Sequence, residues 1–123
     1  MIIGTGIDIV EIERIKKLSQ NNRFFTRVFS AGEMSLFEEC RFRIETIAGR
    51  FACKEAVLKA LGLGLCDIPL TNIEILKEQS GKPVAALCGA ALDYAKSLDI
   101  KRIHISISHD GGLAIAFAVA EGD

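Results

Sequence analysis

At 123 residues and 13.4 kDa, half apolar and a quarter charged, the chain has the length and composition of one folded domain over 1–123, with no room for a second core. A net charge of −1 sets it apart from general nucleic-acid binders, which carry a basic excess, so no nucleic-acid partner is expected. The composition is neither fibrous nor disordered, and no apolar stretch reaches membrane-spanning length, so no membrane span is expected either.

The N-terminus, MIIGTGIDIVEIERI, is acidic within its first dozen residues and lacks the basic-then-apolar pattern of a leader. Residues 2–8, rich in Ile and Gly, read as a short strand ending at Asp8. Residues 10–18 read as a helix with Val10, Ile15 and Leu18 able to point inward. Between Arg14 and Phe29 stand five basic residues, Arg14, Lys16, Lys17, Arg23 and Arg27, and no acidic one. Such a patch is either a solvated helix face or a surface for an anionic partner. Ser30 and Glu33 have capping-box spacing, so a helix starts near Ala31.

The strongest helical signal is 48–61, AGRFACKEAVLKAL. At about 100° per residue, Cys53, Ala56, Val57, Ala60 and Leu61 gather on one face, while Phe51, Glu55, Lys59 and Gly62 fall on the other. Gly62 suits a left-handed cap, and Pro69 cannot continue the helix. Residues 72–77 alternate, and the turn QSGKP leads into PVAALC, which predicts a hairpin. A short amphipathic helix over 89–98 follows, and then RIHISIS, with Ile103, Ile105 and Ile107 on one face and His104, Ser106 and Ser108 on the other. His109-Asp110-Gly111-Gly112 holds a tight-turn dipeptide and leads into a strand in which Leu113, Ile115, Phe117 and Val119 alternate with alanines. The predicted class is α+β, a mainly antiparallel sheet with packed helices.

Cys40, Cys53, Cys66 and Cys88 lie far apart, without a CxxC pair and with only two histidines in the chain, which argues against a structural zinc. Free thiols fit a reducing cytoplasm, and Cys53 on the apolar face reads as a core thiol.

Few residues could carry chemistry. Asp8 follows an apolar strand, where it is either a helix N-cap or a carboxylate that needs a partner. Glu55 and Lys59, four apart, are either an exposed ion pair or a cation ligand beside a phosphate-binding ammonium. Magnesium sites use one or two carboxylates and complete their shell with water and substrate phosphates, a count that Asp8 and Glu55 would meet. Ser108 and His109 are adjacent in a strand and point to opposite faces, so a serine–histidine nucleophile is disfavoured. The glycine-rich pieces GTG, GLGLG and DGG match neither a P-loop nor a dinucleotide fingerprint.

Three segments taken together, GIDIVEIERI (6–15), GRFACKEAVLKALGLG (49–64) and ISISHDGGLAIA (105–116), with the SGKP turn (80–83), resemble the holo-acyl-carrier-protein synthase family, the short type of 4′-phosphopantetheinyl transferase. The resemblance covers nearly the whole chain, and its most specific part is F-x-x-K-E-A-x-x-K-A-x-G. It implies that Asp8 and Glu55 bind magnesium. Arg50, Lys54 and Lys59 match positions around the phosphates of coenzyme A, Gly81 and Pro83 match the turn near its adenine and 3′-phosphate end, and His109 matches a cofactor-site histidine. The implied reaction passes phosphopantetheine directly to a carrier-protein serine, with Glu55 or a metal-held water taking the proton and no nucleophile from the chain itself. The resemblance also gives the basic stretch a partner: acyl carrier protein, met by Arg14 first and then by Lys17, Arg23 and Arg27. It further implies a homotrimer with active sites between subunits. Two other classes stand beside it: a non-catalytic nucleotide-binding module, which needs no metal, and a small nucleotide hydrolase, which needs no carrier protein.

Overall fold

Two glycines let the first strand lie unusually close to the longest helix, and that contact organises the molecule. A computed structural model describes all residues 1–123. Strand β1 (Ile2–Glu11) is followed by helices α1 (Ile12–Leu18), α2 (Asn22–Val28), α3 (Ala31–Glu39) and α4 (Ile44–Ala60). A 3-10 turn (Leu70–Asn72) then leads into β2 (Ile73–Lys77), β3 (Pro83–Leu87), α5 (Gly89–Ser97), β4 (Arg102–Asp110) and β5 (Leu113–Glu121). The strands form an antiparallel three-stranded sheet, in the order β1-β5-β4, and a separate β2-β3 hairpin. This is the predicted α+β class.

Helix α4 packs across β1 and β5. A methyl group on Gly6 would stand 1.9 Å from the Ala56 carbonyl oxygen, and one on Gly4 would stand 2.1 Å from that of Ala60, so any side chain there would push the strand away. Alanine completes the fit: Ala114, Ala116, Ala118 and Ala120 of β5 are buried against the helix, as are Ala52 and Ala56 on α4. The large residues of β5 therefore point to the opposite face of the sheet, beside exposed Ile7 and Ile9 of β1. Apolar surface on that face is left in water.

Several sequence expectations change here. The first strand runs three residues beyond Asp8, which pairs with Ala116 in mid-strand, so Asp8 is not a helix cap. The following helix begins at Ile12 rather than 10, and Leu18 at its end is 37% exposed. Helix α2, capped by Asn21, gave no recognised signal. Helix α4 starts at Ile44, four residues earlier than expected, because Arg43 before it makes no side-chain cap for the sequence to betray. Phe51, assigned to the outer face, is buried against Phe24. The sheet covers one side of α4 and the aromatic cluster of α2 and α3 another, so a one-stripe pattern understates its burial. The Ser30–Glu33 capping box, the left-handed Gly62, the hairpin and the Gly111-Gly112 turn are as expected.

Candidate active site

Asp8 lies on the side of β1 that faces α4, and Glu55 lies on α4. Close packing brings the two carboxylates together. The Lys59 ammonium donates to Asp8 Oδ1 at 3.1 Å and to the Ile7 carbonyl at 2.9 Å. The Asp8 side chain is only 11% exposed, and its Oδ2 is buried without any hydrogen-bond partner. Burial, and then the neighbouring Asp8 carboxylate, push the Glu55 carboxyl up to about 8, against the opposite pull of Arg14 and Lys59. Two acids crowded into one half-buried corner, with an unsatisfied oxygen and one ammonium, make a corner short of positive charge.

A second set of predicted residues meets at the other end of α4. Arg50, Gly81, Pro83 and His109 line one cleft of about 240 Å³, together with Arg43, Glu45, Thr46 and Ile107. Gly81, at a φ of 94°, makes the hairpin tip that faces Arg50. Burial draws the Arg50 guanidinium below its ordinary pKa, and its Nε is buried without a partner. An arginine nitrogen left unpaired beside an open polar cleft is suited to a phosphate or carboxylate oxygen. Arg43 and Thr46 were not singled out from the sequence; lying ahead of the 48–61 segment, they carried no motif.

Lys54 is a correction. Matched in sequence to the cofactor phosphates, it is wholly buried, and its ammonium is committed to Glu33 Oε1 at 2.7 Å, to the Leu70 carbonyl at 2.9 Å and to the Ile73 carbonyl. An ammonium has three protons, and all three are used inside the protein. The predicted contact residues Arg14, Lys17, Arg23 and Arg27 are all exposed, the last three around one shallow groove with Leu18 and Phe24. Arg14 is near enough to Glu55 to influence its ionisation. No group of three or more His, Cys, Asp or Glu side chains could form a metal cluster, so a cation here would rest on two carboxylates.

Residues 4–118 match the family model of the 4′-phosphopantetheinyl transferase superfamily. The chain belongs to that superfamily. It is similar to the holo-[acyl-carrier-protein] synthase of Clostridium tetani, 48% identical over 124 residues that cover 100% of this chain and 98% of that one. It is similar too to the synthase of Alkaliphilus oremlandii, 50% identical over 121 residues covering 98% and 99%. Among solved structures, it resembles the synthase from Neisseria meningitidis with a TM-score of 0.89 at 34% identity, covering 98% of this chain and 99% of that one. The Helicobacter pylori synthase in complex with coenzyme A has a TM-score of 0.83 at 38% identity, covering 95% and 99%.

Proposed function

We infer that this chain is a holo-acyl-carrier-protein synthase, moving 4′-phosphopantetheine from coenzyme A to a serine of an apo-acyl carrier protein and releasing adenosine 3′,5′-bisphosphate. The observation that carries the reading is the Asp8–Glu55–Lys59 corner, in a superfamily member whose relatives bear that name. Two hard oxygen ligands, with Asp8 Oδ2 lacking a partner, fit magnesium held by Asp8 and Glu55. When bound, magnesium supplies charge neutralisation at the pyrophosphate.

The chain's own groups do the rest. Lys59 has two acceptors and a side chain 54% exposed, leaving a proton for the phosphate oxygen where charge accumulates as the P–O bond to the leaving group breaks. The serine oxygen bonds to the β-phosphorus and its proton must leave. Glu55, directly or through a water, is the chain's acceptor for that proton. In the cleft, Arg50 and His109 meet the adenosine 3′-phosphate end between the walls of α4 and the Gly81–Pro83 tip.

Arg50 and Glu55 are five residues apart, so they sit about 140° around the helix and about 7.5 Å along it. One chain thus turns its cleft and its carboxylates in different directions. A single coenzyme A spanning both draws them from two copies, as a homotrimer with interfacial sites does. The exposed Ile7, Ile9, Leu113 and Phe117 face supports such an assembly. Arg14, with Lys17, Arg23 and Arg27, forms the docking surface for an acidic carrier protein, and docking weakens with salt. The four cysteines are free, consistent with a cytoplasmic place of work, and no helix is long and apolar enough to cross a membrane.

The test is the intact mass of a purified apo-acyl carrier protein after incubation with this protein, coenzyme A and magnesium. The expected result is addition of one phosphopantetheine, lost with EDTA and with Glu55→Gln. Absence of any gain across several carrier proteins, while coenzyme A still binds, overturns the assignment in favour of a binding module.

A further inference from the structure

The Glu33–Lys54 pair is the largest investment of buried charge in the molecule, and no step of the transfer uses it. Both side chains are completely buried, 2.7 Å apart. Glu33 also accepts from the Ser30 amide at 2.9 Å and the Ile75 amide at 2.8 Å. Lys54 donates to the carbonyls of Leu70 and Ile73, at the two sides of the 3-10 turn, and stands 5.4 Å from the Phe29 ring. Every polar atom of both side chains therefore has a partner. The pair binds the start of α3, the middle of α4, the 3-10 turn and β2 at one point.

Stability alone is a poor reason for such a pair, because well-packed apolar residues of similar volume usually do as well. Geometry is a better one. Ile73 and Ile75 already bury apolar surface, but apolar contacts are non-directional and tolerate sliding. Directed hydrogen bonds from one ammonium to one carboxylate and two carbonyls do not. Lys54 is one turn along α4 from Arg50, on one wall of the nucleotide cleft, and the other wall is the tip of the hairpin whose root it holds. The five residues of β2 separate root from tip by about 17 Å, so a small pivot at the root becomes a larger shift at Gly81 and Pro83.

We propose that Glu33 and Lys54 are positioning residues which set the width of the nucleotide cleft by fixing the root of the β2-β3 hairpin to α4. This rests on the reading that the cleft holds the nucleotide end of coenzyme A. It assigns Lys54 a task in cofactor affinity without contact to the cofactor.

The test is steady-state kinetics on the double variant Glu33→Leu/Lys54→Met, which removes both charges together and leaves neither orphaned. The expected result is a cooperatively melting protein whose KM for coenzyme A rises by about 10-fold or more, while KM for the carrier protein stays put and kcat at saturating coenzyme A falls by much less. An unchanged KM for coenzyme A in the folded double variant overturns the proposal. Arg50→Met, measured alongside, separates the two ideas. If it raises KM and the double variant does not, the coupling is wrong; if neither does, the cleft is not the nucleotide site. Should the double variant fail to fold, amide exchange on the wild-type protein decides. Adding adenosine 3′,5′-bisphosphate should slow exchange of the Ser30 and Ile75 amides that Glu33 accepts, and exchange rates unaltered at both positions would overturn the coupling.

Discussion

Lys54 and Lys59 stand five residues apart on one helix, each paired with a carboxylate from another element, and they could hardly differ more. Lys54 is fully buried with all its protons used, and both oxygens of its partner Glu33 have partners as well. Lys59 is 54% exposed, its partner Asp8 keeps a buried oxygen without a hydrogen-bond partner, and burial beside Asp8 pushes the neighbouring Glu55 carboxyl up to about 8. Satisfied charge marks the scaffold here, and unsatisfied charge marks the corner proposed to hold the cation.

The contrast breaks most visibly if the scaffold pair is cut on one side only. Lys54→Met strands the Glu33 carboxylate in the core and should cost about 3–5 kcal/mol in chemical denaturation. Lys59→Met should cost less, about 1–3 kcal/mol, since its ammonium is 54% exposed although Asp8 is mostly buried. Equal losses would erase the distinction. Activity should show the reverse order for the binding corner: Glu55→Gln or Asp8→Asn should lower kcat by roughly 10²–10³-fold while melting temperature holds or rises, the signature of a crowded acid pair relieved.

Close approach of β1 to α4 is the next link to test. Gly6→Ala places a methyl against the Ala56 carbonyl and should cost about 1–3 kcal/mol, with transfer activity falling further because Asp8 moves with the strand. The pH dependence is a smaller, signed effect. Glu55 has a folded pKa of about 8, above the 4.5 of the unfolded chain, so without metal the folded state binds the extra proton between those values. Stability contributed by that proton is complete below 4.5 and lost as pH rises through 8, so melting temperature of the metal-free protein should decline over this window. Magnesium should flatten the decline, and Glu55→Gln should abolish it. Smallest of all, thiol labelling should spare buried Cys53, whose thiol burial pushes up to about 12, and modify exposed Cys66 and Cys88.

What the sequence displays follows the range of the interactions concerned. The capping box at Ser30, the turn at Gly111-Gly112 and the hairpin around Gly81 are decided by neighbours within a few residues, and they are legible. The carboxylate pair and the cleft residues emerge by resemblance, since nothing in local spacing says that Asp8 lies against Glu55 or that Gly81 faces Arg50. The end of β1 is not legible, because VEIER offers a helical pattern while pairing with β5, far along the chain, holds Val10 and Glu11 extended. The burial of Lys54 is hidden for the same reason. A lysine between Cys53 and Glu55 looks like a surface residue until Glu33, on another helix, is seen beneath it.

The sheet order β1-β5-β4 places the last strand of the chain in the middle, so the first strand and the fourth each have it as their sole hydrogen-bonded neighbour. In folding terms, the β4-β5 ladder is a local hairpin across Gly111-Gly112, whereas the loop between β1 and β5 spans almost the whole sequence. During synthesis the helices emerge and wait, with β1 unpaired, until Leu113–Glu121 leaves the ribosome. A nascent chain stopped short of Leu113 lacks the strand that pairs with β1, and with it the ladder that holds Asp8 in register.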